Sequence, residues 1–145
     1  MNLSSPTHPV WGKQEALLKE ADKVEVFLLE ETPTHPKEQQ KSEAYFADFR
    51  ILERYTPADS LFDTLRLLLS DTTQFELEQK KSCPMQAQYG ICFSKKKKFV
   101  GLVISKADCP KSFVVSSEKD LLKKPLDLVL ESRFYPILDS LTQKK

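Results

Sequence analysis

Three cysteines (Cys83, Cys92, Cys109) and two histidines (His8, His35) are the side chains of this 145-residue chain best suited to nucleophilic, redox or metal chemistry. Their spacing narrows that chemistry. No C-x-x-C occurs, which removes zinc ribbons and thioredoxin-type redox turns. A thiol nucleophile needs a base and a lowered pKa. Lys81, Lys106 and Lys111 lie near Cys83 or Cys109 in sequence, but that half of the chain has no histidine. His8 and His35 sit in identical Pro-Thr-His-Pro tetrapeptides, whose prolines favour extended, exposed backbone. Two such histidines without a carboxylate motif do not make a metal site. With only Gly12, Gly90 and Gly101, no G-x-G-x-x-G or Walker A loop can be written. The reading assigns no catalytic residue, no metal and no cofactor.

The feature that stands out is charge. The net charge is +1, yet residues 1–79 hold 8 Lys/Arg against 15 Asp/Glu, and residues 80–124 hold 11 Lys against 3 Asp/Glu. A split of −7 against +8 steers charged partners if the zones stay apart, and self-neutralises if they meet in one domain. Lys95-Lys96-Lys97-Lys98 concentrates the basic zone in one place. The run has no arginine for bidentate base reading, and Phe93 and Phe99 on either side fall on opposite strand faces, so they form no stacking platform.

The elements that position these residues follow from periodicity. Residues 10–22 carry a helical stripe at Leu17, Leu18 and Ala21, and residues 24–30 and 45–55 read as strands. Thr56 as N-cap, Pro57 at the first helical position and Leu61, Phe62, Leu65, Leu68 and Leu69 at helical spacing predict a helix over 57–70. Residues 71–87 read as irregular. Residues 112–116 form a further strand. A closing helix is expected over 125–142, kinked at Pro136. The resulting string, β-β-α-β-β-β-α, predicts an α+β domain: an antiparallel five-stranded sheet with helices packed on one face. A flexible arm at residues 1–9 is expected to precede a single domain over 10–145.

Residues 88–105 form a hairpin whose register can be computed. Pairing positions that sum to 193 sets Phe93 against Val100, Ile91 against Leu102 and Tyr89 against Ile104, so one face is wholly apolar and the loop falls on the lysines. A slip of one residue scrambles both faces. The same register sets Cys83 opposite position 110, next to Cys109, which makes Cys83–Cys109 a candidate disulfide in an oxidising compartment. Cys92 faces Gly101 mid-strand and reads as a small core residue.

The order Cys83, Tyr89-Gly-Ile-x-Phe93, Val100-Gly-Leu-Val-Ile104, Cys109 resembles a family of small bacterial proteins of unassigned function. The resemblance spans about residues 24–138. It implies two N-terminal strands, a helix, a Cys-led hairpin and a C-terminal helix, and it implies no activity. In that family the second hairpin strand runs into paired cysteines, where this chain has Ser105 and a single later Cys109.

The functional expectation is a non-catalytic protein-binding module (an inhibitor, immunity-type or adaptor protein) that recognises a charged protein partner. Its binding residues would be Lys95, Lys96, Lys97, Lys98, Lys106 and Lys111. One alternative is nucleic-acid or other polyanion binding through the same hairpin, joined by Lys123 and Lys124. Another is a thiol or redox protein using Cys83 and Cys109. No apolar run reaches the length of a transmembrane helix. The polar N-terminus lacks a signal-peptide core, so the default compartment is the cytoplasm, with the periplasm or exterior if a leader has been removed.

Overall fold

The computed structural model describes Trp11 and residues 15–76, 86–117, 124–128 and 132–142. In chain order the elements are α1 (Glu15–Glu20), β1 (Lys23–Leu29), β2 (Tyr45–Phe46), β3 (Phe49–Tyr55), α2 (Asp59–Ser70), β4 (Phe75–Glu76), β5 (Ala87–Lys95), β6 (Lys98–Ser105), β7 (Lys111–Ser116), β8 (Lys124–Leu128) and α3 (Phe134–Thr142). All strands join one antiparallel sheet in the order β2-β3-β1-β5-β6-β7-β8-β4. The expectation of an α+β antiparallel domain holds. The five-stranded count is corrected: six strands have five residues or more, and a two-residue strand closes each edge.

Two local causes account for the extra strands. The expected strand 45–55 is broken by a tight turn at Ala47 and Asp48, whose φ angles are +53° and +73°. That turn folds β2 back on β3, pairing Phe46 with Phe49. Both rings are thereby buried, a gain that offsets the left-handed backbone of two residues that are not glycine. At the other end, the helix expected over 125–142 is a strand followed by a shorter helix. β8 pairs with β7, and only Phe134–Thr142 is helical. Leu126 fits a helical stripe with Val129 and Leu130 and also a two-residue period with Leu128, and the open edge of β7 decides in favour of the strand. The expected kink at Pro136 disappears for the same reason. Proline now lies in the first helical turn, where its missing N–H has no intrahelical partner to lose. Ser132 Oγ accepts a hydrogen bond from the Phe134 N–H at that helix start.

The helix expected at 57–70 runs from Asp59 to Ser70, and its cap differs from the expected one. Ala58 flanks it without a side-chain cap bond, and Pro57 is buried outside the helix rather than placed at its first position. The α1 helix is shorter than the 10–22 stripe, and irregular 71–87 yields β4. The predicted arm at 1–9 lies outside the described residues.

The helices share one sheet face. Leu18, Leu65, Leu68, Leu69, Phe134 and Leu138 pack with Val24, Val26, Tyr89, Ile91, Phe93, Val100, Leu102 and Ile104 in a single cluster. Trp11 is fully buried there and donates its indole N–H to Leu69 O at 2.5 Å. The opposite face has its own core of Phe27, Leu29, Phe46, Phe49, Ala87, Val103 and Val115, with Phe99 and Phe113 at its margin. Phe49 on β3 and Phe113 on β7 lie 6.1 Å apart, ring centre to ring centre. In a flat sheet those strands, four positions apart, would be separated by roughly 19 Å. The sheet therefore curls around its second face. Gly90 lets this closure happen, because a Cβ there would come within 2.8 Å of the Phe46 ring.

Candidate functional site: a lysine-tipped hairpin

The hairpin register agrees with the computed one from Tyr89↔Ile104 to Lys95↔Lys98, including Ile91↔Leu102, Cys92↔Gly101 and Phe93↔Val100. Phe93 is fully buried on the helix side and Phe99 belongs to the opposite face, so the two rings do not form a platform. Lys96 and Lys97 make the two-residue turn. Lys96 has φ +56°, a value that short hairpin turns normally assign to glycine or asparagine. Lys95 and Lys98 face each other directly as the last rung of the ladder. Strand alternation from Phe93 and Val100 puts both on the helix side of the sheet. Lys95 Nζ accordingly meets Glu20 Oε1, at the end of α1, at 4.0 Å. Lys96, Lys97 and Lys98 are exposed.

Lys106 and Lys111 do not join this cluster. They lie at the opposite end of β6, some 25 Å away along an eight-residue strand. Lys106 Nζ pairs with Glu31 at 2.7 Å. Ser105, 1% exposed, pins the turn between the two lysines by donating to Cys109 O at 2.6 Å and accepting from Lys111 N at 2.7 Å. The six expected binding residues thus divide into a tip and a pinned base. Ion pairs at both ends (Lys95–Glu20, Lys106–Glu31) join the basic meander to the acidic N-terminal half, so the charge split is partly internal. Among the described residues, Lys96 and Lys97 make no ion pair. Lys123 lies outside the described residues, and Lys124 contributes backbone to β8.

Of the thiols, Cys92 is free, and burial pushes its pKa up to about 12, which keeps it protonated and unreactive. Cys83 lies outside the described residues. The β5–β6 register shifts between Ala87 and Tyr89, setting Ala87 against Ser105, and the Lys106 N–H then donates to Gln86 O at 3.0 Å. His8 also lies outside the described residues. His35 is exposed and caps a short 3-10 turn by accepting from Lys37 N at 3.1 Å. Among the described residues no group of three or more metal-ligating side chains exists, and no helix is long and apolar enough to cross a membrane.

Sequence reasoning missed a polar latch that seats α3 on the sheet. The Tyr89 hydroxyl donates to Asp139 and lies 3.4 Å from Thr142 Oγ1, while Tyr55 donates to Glu53 at 2.7 Å and approaches Thr142 O at 3.4 Å. No signal short of the tertiary fold links residues this distant in sequence. Burial, aided by Asp139, raises the Tyr89 pKa to about 12, and burial does the same for Tyr135. Tyr89 is a hydrogen-bond donor, not a base. Because the folded pKa values of both phenols exceed the ordinary 10, the stability they contribute is present below pH 10 and is lost as pH rises through 12. Stability should therefore fall steeply between pH 10 and 12, with tyrosinate absorbance appearing together with loss of near-UV circular dichroism. Tyrosinate absorbance at ordinary pH, with the fold intact, would contradict this assignment.

The chain matches no protein-family model, no curated protein and no solved structure.

Proposed function

We propose that the chain is a non-catalytic module that binds an acidic protein surface through its lysine-tipped hairpin. The supporting observation is a local choice that opposes folding. Lys96 takes a left-handed backbone, and Lys95 and Lys98 stand directly opposite each other. Like charges at such a rung and a bulky residue at positive φ each cost stability, and Gly or Asn would remove the second cost. Departures from local rules concentrate at functional or strained sites. Among the described residues Lys96 and Lys97, both exposed, make no ion pair, so their charge is available to steer a partner. Nucleic acid is the competing ligand for the same lysines. Titration of fluorescent poly-glutamate and of duplex DNA across a salt series separates the two. The proposal expects poly-glutamate to bind and to compete with the partner, and preference for DNA with a steep salt slope would overturn it.

The same reading takes Cys83 and Cys109 as a disulfide that ties the base of the meander. What supports it is that Cys109 lies in the turn pinned by Ser105, at the end of the meander where β5 begins. Closing that loop would add about 3–4 kcal/mol. Maleimide labelling of unfolded, unreduced protein should modify one thiol per chain, and three after reduction. Three before reduction would exclude the bond.

A further inference from the structure

We infer that the outward face of α2 is a second docking surface, which takes a basic helix of a partner protein with Leu67 as its apolar anchor. The inference uses none of the hairpin lysines and stands apart from the hairpin reading. Leu65, Leu68 and Leu69 hold α2 on the sheet, whereas Leu67 is 72% exposed, the most of any large apolar side chain among the described residues. A lone exposed leucine is ordinary. This one borders a recess of about 180 Å³ lined by Thr64, Leu67, Leu68, Asp71 and Arg133. A water takes roughly 30 Å³, so the recess has room for a side chain of a partner.

The charges around Leu67 specify that partner. Asp59, Asp63, Leu67 and the C-cap residue Asp71 follow at a spacing of four and run along one side of the helix. No basic residue interrupts the row. The positive helix start favours Asp59, but Asp63 repels it from one turn away, and an acid at the other end opposes the helix dipole. Arg66 is turned aside, since Nη2 donates to Ala21 O and the guanidinium lies 4.6 Å over the Phe62 ring. It reaches Asp63, itself 76% exposed, only at 4.0 Å. Asp71 is held ionised by hydrogen bonds from Thr73 and Gln74 and by the charge of Arg133. An apolar residue with an acid one turn to each side fits an apolar residue with a base one turn to each side. Rows at this spacing are also the ridges through which helices commonly pack.

The test uses a helix-stabilised peptide of roughly 18 residues with one leucine and an arginine four residues to either side, so that both helix directions are served. A second peptide carries glutamate in place of both arginines. Fluorescence anisotropy with the full chain should show the arginine peptide binding about tenfold tighter than the glutamate peptide. Leu67→Ser should weaken it about tenfold, and Asp63→Asn about threefold or more. Both side chains are exposed, so neither change threatens the fold. Asp63→Lys should improve binding of the glutamate peptide, the opposite sign. K96Q/K97Q should leave the arginine peptide within about twofold, which keeps this surface distinct from the hairpin. No binding at about 1 mM peptide, or equal binding to wild type and Leu67→Ser, would overturn the inference and leave the hairpin reading untouched.

Discussion

Replacing Gly101 by alanine should cost about 3 kcal/mol or more, a large part of the 5–15 kcal/mol that holds a domain of this size together. Gly101 is buried in β6 opposite Cys92. A Cβ built there would lie 1.9 Å from Ile91 O, 3.0 Å from Ile91 C and 3.1 Å from Cys92 Cα. All three are backbone atoms of the neighbouring strand, so no side-chain rotation relieves the contact. The ladder between β5 and β6, which holds the hairpin in register, must open instead. Gly90→Ala is the matched control. Its nearest clash is with the edge of the Phe46 ring at 2.8 Å, which can swing aside with the β2–β3 hairpin. Urea unfolding of the two variants checks the difference, and a Gly101→Ala loss within 0.5 kcal/mol of wild type would refute the packing argument.

The second large effect has two parts of opposite sign. In the variant K95T/K96G/K97N/K98T, glycine takes the left-handed position and β-formers replace the opposed charges. Relief of the turn and of the like-charge rung should stabilise the chain by about 1–2 kcal/mol, or roughly 5 °C in Tm. Partner binding should fall by about 100-fold, the scale expected when a cluster of interface charges is lost. A tip that existed only to close the hairpin would gain or keep stability with no loss of binding. A tip essential for folding would lose both. Only a functional tip separates them.

How much was legible before the structure depended on how many constraints acted on each segment. The β5–β6 hairpin was legible because both of its faces are specified: Tyr89, Ile91 and Phe93 must meet Val100, Leu102 and Ile104, and any other register exposes them. The last helix was not, because Leu126 fits a helical stripe with Val129 and Leu130 as well as a two-residue period with Leu128, and the vacant edge of β7 is a tertiary fact. The Ala47–Asp48 turn was hidden because neither residue is glycine or asparagine, and only the burial of Phe46 and Phe49 makes its backbone worthwhile. The lysine tip followed from the register alone. That Lys106 and Lys111 belong to a different end followed only once the far end of β6 and the turn pinned by Ser105 were located. Sequence proximity to a charge run said nothing about spatial proximity to it.

The central claim, that the hairpin tip exists to hold an acidic protein, is tested most directly by parallel affinity capture from the native host. Wild-type chain and the K95T/K96G/K97N/K98T variant are used as baits, in moderate salt and after nuclease treatment, with mass spectrometry of what remains. The account predicts a stoichiometric acidic protein on the wild-type bait and its absence from the variant. The same proteins on both baits, or loss of all bound material on nuclease treatment, would contradict it.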